Sequence, residues 1–145
     1  MPYDNAMTLM ITKAEKSDKK EILRFYKQQH YSARFLGFDQ AYFIKKNEAI
    51  IACVIVSNLS SNCHQALLHA LVVDKAWRKQ RIASKLLEHC TTLHEHIVCF
   101  ANSSLSTFYK TNGFYQANIE TIDKLLEVRY LSYQLKDSNL VIFKY

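Results

Sequence analysis

Residues 66–73, ALLHALVV, run apolar except for one histidine, pass through DKAWRKQR, and continue into the amphipathic KLLEHC. A short apolar run bounded by polar residues reads as a buried strand, and paired leucines followed by a cysteine at helical spacing read as a helix. The chain must therefore house a strand–loop–helix junction, which calls for helices layered on a sheet. The junction carries Lys75, Arg78, Lys79, Arg81 and Lys85 with no acid among them. Taken alone, such a run is a solvated basic turn. Its position between strand and helix makes it a candidate phosphate cradle, because amides at a helix N-terminus attract anions. Cradles of this kind usually use glycine for close approach. This loop has none, and the chain holds only Gly37 and Gly113.

The 145 residues suggest one domain, 1–145, with room for an adequate core. Hydrophobic residues at 49% and charged residues at 22% give an ordinary globular balance. A formal charge of +6 favours anionic partners: a phosphorylated cofactor, nucleic acid or an acidic protein. The longest apolar run, AIIACVIV, is far short of a membrane span. The first residues lack the pattern of a secretory signal. A cytoplasmic protein without membrane partners is expected. Cys53, Cys63, Cys90 and Cys99 show no C-x-x-C spacing and read as free thiols in a reducing compartment. The stretch HCTTLHEH holds His89, Cys90, His94 and His96. It matches no standard zinc spacing, so a solvated helix end is expected and no metal.

Along the chain, MTLMITKA alternates as a strand. SDKKEILRFYKQQH reads as a helix capped by Ser17, with Ile22, Phe25 and Tyr26 on one face. QAYFIKK and AIIACVIVSN read as antiparallel strands turning at Asn47 and Glu48. HQALLHALVV and HIVCFA are further strands. RIASKLLEHCTTL places Ile82, Leu86, Leu87 and Cys90 on one helical face. SSLSTFYKTNGF is a short helix stopped by Gly113 in a left-handed cap. IETIDKLLEVRYLSYQL predicts a helix with Ile122, Leu125, Leu126, Arg129 and Tyr133 at helical spacing, and LVIFKY closes as a strand. The fold class is α/β in the mixed, α+β sense.

Two stretches resemble the GNAT superfamily of N-acetyltransferases. LVVDKAWRKQRIASKLL is similar to its cofactor motif, in which a strand leads into (Q/R)-x-x-G-x-(G/A) and then a helix. Arg78 takes the first position, Arg81 stands at the central glycine, and Ala83 takes the last. ANSSLSTFYKTNGF resembles the following strand–helix segment through Asn102, Phe108, Tyr109, Gly113 and Phe114. The resemblance runs from about Thr8 to Phe114. It implies a GNAT-like central mixed sheet, largely antiparallel, of about six to seven strands flanked by about four to five helices.

The resemblance also implies acetyl-CoA as co-substrate. The amides of Lys79, Gln80, Arg81, Ile82, Ala83 and Ser84 would face its pyrophosphate, with Arg78, Lys79 and Arg81 adding charge. Leu71, Val72 and Val73 would offer a strand edge to the pantetheine arm, and the Val73 amide would polarise the thioester. Asn102 would hydrogen-bond the pantetheine or acetyl region, although Asn is also a good helix N-cap. Phe108 reads mainly as a packing residue beside that region. Arg81 fits the motif without strain if its φ is helical, and is strained if its φ is positive.

The implied reaction is direct acetyl transfer to a primary amine, with Tyr109 as general acid on the leaving thiolate. The base is not evident. Ile97 stands where some relatives place a glutamate. His69 is a candidate on the preceding strand, sharing alternation with Leu71 and Val73, and His64 is a weaker one. An acyl-CoA-binding or regulatory module of the same fold without catalysis is the alternative. A nucleic-acid binder using RFYKQQHYSARF is a further one, but that stretch reads better as a packing helix and a substrate loop. Tyr26, Tyr31, Phe35 and Phe38 could line an acceptor pocket or fill the core. The amine acceptor stays open, small molecule or protein, as does a homodimer, a common state in this family.

Overall fold

Asn47 and Glu48 both take left-handed backbone, φ 53° and 66°, in a chain that offers no glycine there. Paired left-handed residues make the turn whose twist suits a two-residue hairpin. They join the strands β2 (Gln40–Lys46) and β3 (Ala49–Ser57). The computed structural model describes residues 9–35 and 38–145. The expected strand positions Met7 and Thr8 lie outside them, and β1 spans Ile11–Lys13. The remaining strands are β4 (Ala66–Val73), β5 (Ile97–Asn102), β6 (Tyr115–Ala117) and β7 (Leu140–Lys144). The helices are α1 (Lys19–Gln28), α2 (Ile82–Leu93), α3 (Ser106–Thr111) and α4 (Lys124–Gln134). The sheet is seven-stranded in the order β1-β2-β3-β4-β5-β7-β6. It is mixed: β4 and β5 run parallel, while β1–β2, β5–β7 and β6–β7 are antiparallel.

Contacts divide the chain into two units, and each has its own core. The first comprises residues 1–55 and 70–89. There Ile22, Phe25 and Tyr26 of α1 pack with Phe43, Ile55 and Ala70. Burying each large side chain is worth about 1.5–3 kcal/mol, which is what fixes α1 to the strands. Tyr26 is 1% exposed, so it belongs to this core rather than to an acceptor pocket. Phe35 packs against the same cluster, whereas Tyr31 and Phe38 are exposed. Ser17 does not cap α1. It lies inside a 3-10 turn ahead of α1, and that turn is capped by a reciprocal pair in which Glu15 N donates to Asp18 Oδ2 at 2.8 Å, while Asp18 stands at the start of α1 without a side-chain cap bond.

The second unit comprises residues 56–69 and 90–145. On one side of its strands, Leu67, Val98 and Ile142 pack with Leu126 and Tyr130 of α4. On β5 the alternate residue Cys99 lies opposite Phe143 of β7. The long C-terminal helix expected from the sequence is broken. A 3-10 turn at Ile119–Thr121 ends in extended backbone at Ile122, and Asp123 begins α4. The phase of the helix also differs. Leu126 and Tyr130 face inward, while Leu125, Arg129 and Tyr133 are exposed. Strand β6, only three residues long, is too short to leave an alternation signal.

Candidate active site

The basic loop belongs to the first unit. At its start Asp74 makes the turn that its residue type favours: Ala76 N donates to Asp74 Oδ1 at 2.8 Å. Its other oxygen accepts from Gln29 Nε2 at 2.8 Å, which ties the loop to the chain just after α1. Sequence reasoning passed over Asp74, although an aspartate ending a strand is a recognisable turn signal. Arg78 folds back, and its Nε donates to the Val73 carbonyl at 3.1 Å. Trp77 is half-buried at the loop's edge.

Lys79 and Arg81 both have left-handed backbone, φ 64° and 63°. Arg81, expected at the central motif position, is therefore left-handed and not helical, which is the strained case. Such a conformation costs an L-residue about 1–2 kcal/mol. Helix α2 then begins, its first turn closed by Lys85 N donating to Arg81 O at 3.1 Å. Amides ahead of that bond point out of the helix end. Arg78, Lys79, Gln80 and Arg81 are exposed, Ala83 and Ser84 half-buried, and Ile82 is turned into the core at 3% exposure. Leu71, Val72 and Val73 are half-buried. An exposed basic loop leading into a twelve-residue helix fits a pyrophosphate.

The second unit holds the other candidates. Asn102 ends β5, and its side chain is engaged at both ends. Its Oδ1 accepts from Ser104 N at 2.9 Å, and its Nδ2 donates to Asp137 at 3.1 Å and 3.2 Å. Asn102 thus caps the 3-10 turn Ser103–Leu105 that leads into α3, and Asp137 is a partner the sequence did not announce. Tyr109 is 5% exposed. Its ring stacks on Phe143 at 4.9 Å and meets the edges of Phe108 at 5.0 Å and Phe114 at 5.5 Å. A hydrogen bond links it to Cys99. Burial pushes that thiol up to about 12, the Tyr109 bond drawing it down only in part. Helix α3 stops as expected: Gly113 has φ 89°, Gly113 N donates to Lys110 O at 3.0 Å, and Phe114 N to Tyr109 O at 3.0 Å.

His69 Nε2 lies 2.7 Å from Ser57 Oγ, a buried hydroxyl of β3. The next residue, Ala70, is left-handed at φ 56°, so extended alternation does not carry from His69 to Leu71 and Val73. His64 is exposed, and its backbone N–H donates to Asp123 Oδ2 at 3.1 Å. The cysteines are free thiols. Among the described residues, no helix is long and apolar enough to cross a membrane.

Set beside known proteins, this geometry has a clear place. Residues 38–116, more than half of the chain, match the family described as the acetyltransferase (GNAT) domain. The chain belongs to the GNAT acetyltransferase family, whose members carry out acyl transfer from acyl-CoA. Solved structures share the fold at low identity. The N-acetylglutamate synthase of Neisseria gonorrhoeae, complexed with coenzyme A and N-acetyl-glutamate, superposes with a TM-score of 0.69 at 12% identity over 94% of this chain. The chain spans about a third of that synthase, 34% of its length. Escherichia coli ElaA gives a TM-score of 0.66 at 16% identity, covering 94% of this chain and 99% of its own. A GNAT acetyltransferase of Staphylococcus aureus Mu50 gives 0.63 at 16%, covering 94% and 98%. No curated protein matches the sequence.

Proposed function

We propose that the chain is an N-acetyltransferase that uses acetyl-CoA to acetylate a primary amine. The observation that carries this reading is the loop of residues 78–81. It sets two left-handed residues and exposed basic side chains ahead of α2, in a stretch that resembles the cofactor motif of the family. The amides of residues 79–84 bind the pyrophosphate, Lys79 and Arg81 add charge-assisted contacts, and Leu71–Val73 present main-chain groups to the pantetheine. Bound acetyl-CoA supplies the reactive thioester. Tyr109 Oη gives a proton to the departing sulfur, the Val73 amide polarises the carbonyl, and Asn102 and Phe108 shape the acyl end. His69, held by Ser57, takes the proton from the attacking amine.

One observation favours a second reading, a binding module of the same fold without catalysis. Tyr109 is buried among aromatic rings and its hydroxyl is already bonded to Cys99. Thermal unfolding with acetyl-CoA, CoA and ATP tests the cofactor site. A ligand at a hundred times its dissociation constant adds about 2.7 kcal/mol, a rise of several degrees here. A rise with both coenzyme forms but not ATP supports the site, and no rise with any of them overturns it. Release of CoA on addition of amines then separates the enzyme from the module. Tight binding with no turnover on any amine supports the second reading.

A further inference from the structure

The backbone from Ala70 to Asp74 ends β4 and opens the basic loop, and α1 of the same unit holds it at both ends. Tyr26 Oη donates to the Ala70 carbonyl at 2.7 Å, and Gln29 Nε2 donates to Asp74 Oδ2 at 2.8 Å. The two donors are three residues apart, so they share one side of the last turn of α1. His30 fixes where that turn stops. It is left-handed, φ 57°, and Tyr31 N donates back to Tyr26 O at 2.9 Å.

A polar side chain at a helix end ordinarily meets water. Here the Gln29 amide is committed to a carboxylate, an acceptor that gives shorter and stronger bonds than a neutral oxygen. Asp74 is held in two further ways. Its Oδ1 accepts from Ala76 N at 2.8 Å, and its own N–H donates to Ile51 O of β3 at 2.7 Å. Of these three anchors only Gln29 is a side chain, and it is the one that stops the carboxylate from swinging about the Ala76 bond. The fixed Asp74 then sets the direction in which the 3-10 turn Lys75–Trp77 leaves the sheet. That turn delivers the left-handed Lys79 and Arg81 to the start of α2.

We propose that Gln29 is a positioning residue for the coenzyme: acting through Asp74, it holds the basic loop in the geometry that receives the pyrophosphate. This rests on the reading of that loop as the acetyl-CoA site. Gln29 works here without touching the coenzyme. The loop's amides must converge on one anion, so a shift of about 1 Å at Asp74 is felt in binding.

Titration calorimetry of the full chain with CoA tests it. Gln29→Met keeps the length of the side chain and removes the donor, and it should weaken CoA by about tenfold. Gln29→Glu sets two carboxylates against each other and should weaken it further, by about thirtyfold or more. Adding Asp74→Asn to Gln29→Glu restores one donor and one acceptor with their places exchanged, at the net charge of the parent. Asparagine also makes the turn to Ala76 N. The double variant should bind within about threefold of the parent. Gln29 is only half-buried, so the neutral Gln29→Met keeps the test open if the paired carboxylates prevent folding. Gln29→Met that binds as tightly as the parent overturns the proposal. So does a double variant no better than Gln29→Glu alone. In both cases the parent binds CoA and the reading of the loop stands. A parent that does not bind CoA overturns that reading and the proposal with it.

Discussion

Tyr26 Oη donates to the carbonyl of Ala70 at 2.7 Å, and Ala70 is the left-handed residue, φ 56°, within strand β4. A side chain of α1 thus holds the one point at which β4 departs from extended backbone. Burial, with Cys53 alongside, keeps the phenol well above its ordinary value near 10, so it stays a donor. Replacing it leaves a buried carbonyl unpaired. Tyr26→Phe should cost about 1–3 kcal/mol, read as a lower denaturant midpoint. A midpoint equal to that of the parent chain would show that this bond does not stabilise the fold.

Arg81→Gly should stabilise the protein. It relieves about 1–2 kcal/mol of left-handed strain and loosens the unfolded chain by about 0.4–1 kcal/mol, leaving a net gain of up to about 1.6 kcal/mol. Arg81→Ala keeps the strain and should gain nothing. The reverse holds at Gly113, where φ is 89° and an added Cβ would sit 3.0 Å from the Tyr145 ring. Gly113→Ala should destabilise. Urea titrations of the three variants check the set, and a loss of stability in Arg81→Gly would refute the strain assignment.

The acid limb of stability should report on Asp123. Its carboxylate accepts from Cys63 Sγ and from His64 N, each at 3.1 Å, and the Cys63 bond foremost holds it below its ordinary 3.8. A carboxyl whose folded value is depressed contributes stability that is present above its unfolded value, about 3.9. That contribution is lost as pH falls through the lower folded value. Asp123→Asn should therefore flatten the stability profile below about pH 4. Cys63→Ala should move the same limb to higher pH. Profiles that superpose on the parent would count against the pair.

Tyr109→Phe separates chemistry from packing. The ring contacts with Phe143 and Phe114 persist, and only the hydroxyl is lost. If the phenol protonates the leaving sulfur, kcat should fall about a hundredfold or more while acetyl-CoA affinity holds. Undiminished turnover would remove Tyr109 from the mechanism.

Much of this was legible in the residues because periodicity survives wherever an element is long and one-sided. Ile82, Leu86, Leu87 and Cys90 are buried on α2 as their spacing predicts, and Asn47–Glu48 turns the hairpin as predicted. The face of α4 was misread because that helix is apolar on both sides, so spacing alone selected the exposed Leu125 and Tyr133. The left-handed Ala70 left no trace, since alanine carries no preference for that backbone. At the candidate site, the loop and Tyr109 were found from motif order. Their partners Ser57, Asp74, Cys99 and Asp137 were not, because a hydrogen bond between distant positions has no local signature.

The position of β7 between β5 and β6 has a consequence for biosynthesis. Residues 97–102 and 115–117 leave the ribosome well before Leu140–Lys144, yet each pairs with that later strand. In the interval the β5 edge that β7 will cover is open, and Tyr109 lacks the Phe143 ring on which it stacks. An open strand edge is a template for association with other chains. Until Leu140–Lys144 is made, the nascent protein therefore carries an edge open to association with other nascent chains.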